Sequence, residues 1–226
     1  MAYHLLIAAN SDEICSIITK QHGKTMEDAK GEPGRGLENI EYAYGISEHL
    51  KGEHSKSVGP DIGRWSEFAP LGICLGITPF NFPAMVPLWM FPLAVACGNT
   101  FILKPSEKVP STSLRLAELF HEAGLPAGVL NVVQSDLSTA DKLMQCPEIS
   151  AVSFVGSTPA ATAIYSVLST SGKPFQALGG AKNHAIVLPR CRSGNDLRCH
   201  RGRGFWVLRA TLHGIIGSRY CRTRNL

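Results

Sequence analysis

Apolar positions at Leu5, Leu6, Ile14, Ile17 and Ile18 predict a helix over residues 4–20, with Asn10-Ser11-Asp12 as an interruption or cap. Residues 37–50 read as a second helix. From about residue 70 the pattern changes to short apolar runs alternating with helical periodicity. LGICLGI (71–77), TFILK (100–104), GVLNVV (128–133), SAVSFVG (150–156), PFQAL (174–178) and AIVL (185–188) read as strands. Between them, residues 84–97 look helical despite their prolines, and DLSTADKLMQ (136–145) is helical. STSLRLAELFHEAG (111–124) is a well-signalled helix, with Ser111 or Thr112 as N-cap and Gly124 just past its end. TPAATAIYSVLSTSG (158–172) carries Pro159 in its first turn and Gly172 beyond its last.

Strands and helices alternating at this spacing form parallel βαβ units. Ligands of such sheets bind at the carboxyl ends of the strands. Three of those ends carry polar or glycine-bearing sequence: TPFN (78–81), KPSE (104–107) and FVGS (154–157). No internal repeat and no G-x-G-x-x-G occurs in the body of the chain. Pro87 and Pro92 break the best apolar run, so no transmembrane helix is expected, and the first residues lack the basic region of a secretory signal.

Charge divides the chain. Residues 190–226 hold nine Arg and one Asp, a net of +8, whereas the other residues hold 13 basic and 17 acidic side chains, a net of −4. Three of the seven Cys, at 191, 199 and 221, lie in this basic tail; Cys15, Cys74, Cys97 and Cys146 are scattered. The odd count without paired spacing points to reduced thiols, as in a cytoplasm or a mitochondrial matrix.

Each of the three polar strand ends has an ordinary use and a chemical one. Lys104 and Glu107 could hold ribose hydroxyls or phosphate, although a solvated loop before a helix is the commoner use of such a tetrapeptide. Gly156 and Ser157 precede a helix whose first N–H groups favour a phosphate, although simple helix capping is commoner. Asn81 stands between two phenylalanines after a buried strand. It is either a donor to a developing oxyanion or a turn asparagine bonded to its own backbone.

Taken together and in this order, the motifs resemble the aldehyde dehydrogenase superfamily over roughly residues 10–189. The similarity is tighter to its CoA-acylating methylmalonate-semialdehyde (malonate-semialdehyde) dehydrogenases. It is carried by EICSIITKQHGKT (13–25), GITPFNFPAMVPLWMFPLAVACGNTFILKPSEKVP (76–110), SLRLAELFHEAGLPAGVLNVV (113–133), AVSFVGSTP (151–159) and QALGGAKNHAIVLP (176–189). The resemblance implies an α/β fold with the Rossmann-like parallel sheet of the family's NAD-binding domain, truncated at both ends. Its implied parts are an N-terminal helical segment (1–69), an NAD-binding α/β domain (70–189) and a disordered Arg-rich tail (190–226).

The resemblance also implies roles. Asn81 would polarise the aldehyde carbonyl and hold the oxyanion. Thr78 and Phe80 would line the nicotinamide side of the NAD cleft. Lys104, Glu107 and Lys108 would contact the adenosine ribose region, with Gly156 and Ser157 by the pyrophosphate and Gly179 near the nicotinamide. No metal is implied, and His184 is given a structural place. Hydrolytic members carry a Glu-Leu-Gly-Gly motif whose carboxylate activates water; here the stretch is Ala177-Leu178-Gly179-Gly180. Without that base, coenzyme A is the expected acyl acceptor, since thiolates are strong nucleophiles. The expected partner is a small-molecule semialdehyde. Family members form homo-oligomers, for which the usual oligomerisation strand has no counterpart here.

The family's nucleophilic Cys stands in a Gly-Gln-Arg-Cys-like motif downstream of GGAKN, and the tail as written has none. Back-translated and read one base later in each codon, Arg201–Gly217 permits VGAAFG-(S/C)-(S/C)-GQRCMALSV, with the Cys at the codon of Leu212. This points to a frameshift near residues 189–200 and to a chain that lacks its nucleophile. Two other readings are a non-catalytic NAD-binding remnant and a nucleic-acid binder using the basic tail; the shifted frame already accounts for the Arg content of the latter. Sequencing genomic DNA and transcript across codons 185–226 should reveal one gained or lost base whose correction restores GQRC. An unbroken frame in both would overturn the frameshift.

Overall fold

The computed structural model describes residues 1–180; the strand expected at 185–188, His184 and the Arg-rich tail lie outside the described residues. Two helices, α1 (Ala2–Ala9) and α2 (Ser11–His22), occupy the stretch expected as one, broken at Asn10, whose side-chain amide donates to Leu6 O at 2.8 Å. Helix α3 (Met26–Tyr44) begins far earlier than the pattern indicated. Its N-cap Thr25 accepts from the Asp28 N–H, and it runs through Pro33 and Gly36. Local propensity disfavours this path, but packing overrides it. A Cβ at Gly36 would lie 2.2 Å from Leu88 Cδ1, so the glycine lets α3 close onto the helix that carries Leu88. A short α4 (Ile46–His49) follows.

The hairpin β1 (His54–Gly59) and β2 (Ile62–Trp65) was not expected. It is largely exposed on both faces, with Trp65 74% exposed, so it lacks the one-sided alternation that marks a half-buried strand.

The remaining elements form the βαβ series: β3 (Ile73–Ile77), α5 (Met85–Ala96), β4 (Thr100–Lys104), α6 (Pro110–Glu122), β5 (Leu130–Val132), α7 (Leu137–Gln145), β6 (Ile149–Val155), α8 (Thr158–Leu168) and β7 (Phe175–Leu178). All five strands are parallel, in the order β5-β4-β3-β6-β7. The chain steps outward from β3 through β4 to β5, then crosses back to lay β6 on the other side of β3. The β3/β6 boundary is therefore the switch point at which open parallel sheets form a crevice.

The expected N-cap of α6, Ser111 or Thr112, is replaced by Val109, with Pro110 opening the helix. Proline at this position is preset for the turn. The Ser111 N–H is satisfied instead by Gln21 Oε1 of α2 at 3.1 Å, and Gln21 Nε2 donates to Ser111 Oγ at 2.7 Å. Helix α8 stops at Leu168, short of the end expected just before Gly172, and the hydroxyls of Ser169, Thr170 and Ser171 bond the carbonyls of its last turn.

The period-two alternation of the strands sorts the core into two layers. Cys74, Phe101 and Leu103 pack with Ile7, Ile14, Ile18, Leu88, Phe91 and Leu116 of the first helices, α5 and α6. Leu75, Ile77, Val152 and Phe154 pack with Met144, Ile164 and Leu168 of α7 and α8. Leu75 is fully buried on the central strand. Leu75→Ala should cost about 2–5 kcal/mol, read from the urea midpoint of the 226-residue chain; a loss under about 1 kcal/mol would contradict the core described here.

Candidate active site

Three strand ends meet at the carboxyl edge of the sheet. The chain leaves β3 at Ile77 and turns through Thr78, Phe80 and Asn81 before α5. The Thr78 N–H donates to Lys104 O at 3.1 Å, joining this turn to the end of β4. On the other side of β3, the Gly156 N–H donates to Leu178 O at 3.0 Å, tying the end of β6 to the end of β7. The parallel register thus assembles the three polar stretches that the sequence presents tens of residues apart.

The first of these stretches is buried and holds unspent polar capacity. Thr78 is 4% exposed and Asn81 3% exposed, and neither Thr78 Oγ1 nor Asn81 Oδ1 has a hydrogen-bond partner among the described residues. Buried polar atoms are rarely left so. The turn reading for Asn81, with its amide bonded to its own backbone, is not what the structure contains. Phe80 is more exposed, stacked against His22 of α2 at 6.1 Å between centroids, with Lys108 Nζ 5.0 Å above its ring.

Lys104 is 2% exposed, and Glu107 Oε2 accepts from its Nζ at 3.4 Å. Glu107 faces solvent. Its carboxyl is held below the usual range, first by a hydrogen bond from its own backbone N–H, then by the charges of Lys104 and Lys108. Ser157 is the N-cap of α8, its Oγ accepting from the Ala160 N–H at 3.4 Å. Close approach surrounds the two glycines. A Cβ at Gly156 would lie 2.4 Å from the Phe154 ring, and one at Gly179 3.1 Å from Thr158 Cα. The Gly180 N–H donates to Thr158 Oγ1 at 3.0 Å, so the strand end after β7 sits against the start of α8. Ala177 is half-buried on β7 itself.

Sequence reasoning missed Lys24 and Glu32. Lys24 Nζ donates to Glu32 Oε1 and to Asn81 O, both at 2.6 Å, and stands 4.0 Å above the Phe82 ring. Glu32 Oε2 accepts from the N–H groups of Ala84 and Met85 at 2.9 and 3.2 Å. Glu32 is 1% exposed, within a helix stretch whose Pro and Gly residues hide it. No local signal exposes these two residues, because the backbone groups they hold lie more than fifty positions away. A cavity of about 270 Å³ lies elsewhere, over the sheet beside Cys74, Trp89, Phe101 and Leu178, and none of the candidate site residues lines it.

This sheet is a Rossmann-like parallel α/β fold, and the chain belongs to the aldehyde dehydrogenase family, whose sequence profile matches residues 1–198. It is 58% identical over 200 residues to malonate-semialdehyde dehydrogenase of Pseudomonas aeruginosa, a match covering 88% of this chain and 40% of that protein. The crystal structure of methylmalonate-semialdehyde dehydrogenase from Oceanimonas doudoroffii superposes with a TM-score of 0.87 at 55% identity, over 90% of this chain and 42% of that one. A Sinorhizobium meliloti protein assigned to the same activity, and crystallised with NAD, superposes equally well at 48% identity, over 91% of this chain and 42% of that one. The chain thus spans about two fifths of the length of these relatives. Among the described residues, no helix is long and apolar enough to cross a membrane.

His22 lends the site a testable pH dependence. Burial, and then the charge of Lys24, hold its imidazole below the ordinary histidine value of about 6.5. The unfolded chain therefore takes up this proton first as pH falls. The contribution to stability is complete above about pH 6.5 and declines below it as the folded-state value is approached. His22→Phe, which retains a ring against Phe80, should flatten the fall in urea midpoint between pH about 7.5 and about 5.5. An unchanged slope would remove His22 from this account.

Proposed function

We propose that this chain is the NAD-binding portion of a CoA-acylating malonate- or methylmalonate-semialdehyde dehydrogenase. The observation that carries this reading is the burial of Thr78, Asn81 and Lys104 at adjoining strand ends, with Thr78 Oγ1 and Asn81 Oδ1 lacking a hydrogen-bond partner among the described residues. That donor and acceptor set fits a dinucleotide and an aldehyde. When bound, NAD supplies the hydride acceptor.

The chain's own residues do the positioning. The Lys104 ammonium and the Glu107 carboxylate suit ribose hydroxyls, one donating and the other accepting, and Lys108 stands beside them. Ser157 and the first N–H groups of α8 face the charge of a pyrophosphate, and Gly156 allows close backbone approach. Thr78 and Phe80 would line the nicotinamide side, with Gly179 near it. The Asn81 amide donates to the aldehyde oxygen as negative charge develops there. Its fixed, water-poor setting makes such a donor effective, because little reorganisation is needed as the charge forms.

Ala177 supplies no carboxylate where hydrolytic relatives are expected to hold their base. Water is not activated from that position, and the thiol of coenzyme A would take the acyl group from a Cys thioester, forming acyl-CoA and releasing the Cys thiol. The nucleophile this chemistry needs is the Cys of the shifted-frame GQRC string. As written, the 226 residues bind NAD without turning over a semialdehyde.

Calorimetric titration of the 226-residue chain should show NAD binding, weakened about tenfold or more by Lys104→Ala, with no NADH formed on adding malonate semialdehyde and CoA. A folded chain that leaves NAD unbound sinks this reading. In the frame-restored protein, Asn81→Ala should lower kcat on the order of 10²–10³-fold while NAD affinity stays within about twofold.

A further inference from the structure

We propose that Lys24 and Glu32 are positioning residues that set the Asn81 amide from outside the crevice; the proposal rests on the reading of Asn81 as the carbonyl-binding group. The pair grips both ends of the segment that joins Asn81 to α5. Lys24 Nζ holds the carbonyl of Asn81 itself, and Glu32 Oε2 holds the N–H groups of Ala84 and Met85, at the start of α5. The two side chains hold each other at 2.6 Å with 7% and 1% of their side-chain surface exposed.

This arrangement answers three needs at once. The first N–H groups of a helix have no partner in their own helix, and α5 has no side-chain N-cap; Glu32 supplies the missing acceptor. A buried carboxylate needs a countercharge, and Lys24 supplies it. A peptide carbonyl gripped at 2.6 Å by an ammonium cannot swing without breaking a charge-assisted hydrogen bond. The Asn81 backbone is therefore fixed while its side-chain Oδ1 has no hydrogen-bond partner within the described residues. Such a group is preorganised by its backbone and free at its tip.

Stability alone does not require a charged pair here, since buried pairs replaced by apolar side chains of similar volume are often neutral or better. That separates the two roles. The test uses the full 226-residue chain with ¹⁵N labelling, reading the Asn81 side-chain amide resonances, assigned through their loss in Asn81→Ala, and hydrogen exchange at the Ala84 and Met85 amides. In the unsubstituted chain both backbone amides should exchange as slowly as interior amides of α5. Glu32→Gln, and the combined change Lys24→Met with Glu32→Leu, should each speed that exchange about tenfold or more and move the Asn81 side-chain signals. The combined variant should regain the urea midpoint lost in Glu32→Gln without regaining those signals.

Unaltered Asn81 signals in the combined variant would show a structural pair only. Should neither variant fold, exchange in the unsubstituted chain decides: amides as labile as those of an uncapped helix start overturn the clamp. None of these readouts needs turnover. A failed clamp is therefore distinguishable from a failed assignment of Asn81, which the kcat of the frame-restored Asn81→Ala protein tests.

Discussion

The backbone of β3 constrains the rest of this molecule. It is the middle strand of five, hydrogen-bonded in parallel to β4 on one side and β6 on the other. A buried strand must find partners for its N–H and C=O groups, and parallel partners are reached only by crossovers long enough to hold a helix. One crossover leads from β3 to β4, and the crossover after β5 returns the chain to lay β6 on the other side of β3, so the ends of β3, β4 and β6 are forced to one edge. Thr78, Lys104 and Gly156 stand at those three ends, which is why the polar strand ends adjoin.

A second constraint comes from the N-terminal helices. Ile7, Ile14 and Ile18 share one apolar cluster with Phe91, Phe101 and Leu116, so these helices pack into the same core as one face of the sheet. Their polar contribution is local and costly to break. Removing one member of a buried ion pair strands its partner's charge in a medium that solvates it poorly, and Lys24 and Glu32 are both nearly out of solvent. The same two side chains occupy backbone groups of the turn after β3, so helix packing and the geometry of the crevice are coupled through them. Arg115 of α6 reinforces the outer side, bridging Glu13 of α2 and Glu122 of its own helix at 3.1 and 3.0 Å, at the exposed rim where such pairs are weak.

Legibility varied with how local the cause was. The five strands of the sheet and their helices could be read because each carries its own periodicity, and Gly124, at φ +94°, ends α6 as its position implied. Helix α3 could not be read over residues 26–36, because Gly31, Pro33, Gly34 and Gly36 argue against it locally, and only for Gly36 does the fold show a reason, the approach to Leu88. The β1–β2 hairpin was invisible because neither strand buries a face. Of the site, the polar strand ends could be read, but the burial of Asn81 and Thr78 and the grip of Lys24 and Glu32 could not. Those depend on contacts across more than fifty residues.

By itself, the sequence determined the alternation of strand and helix, the polar strand ends and the family resemblance, since periodicity and short motifs are written in neighbouring residues. Only the tertiary structure decided which strand ends adjoin, which polar atoms are left unpaired at the crevice, and which distant charges hold the Asn81 turn. Strand order, burial and ion pairing are properties of residues brought together from far along the chain, and no local pattern encodes them.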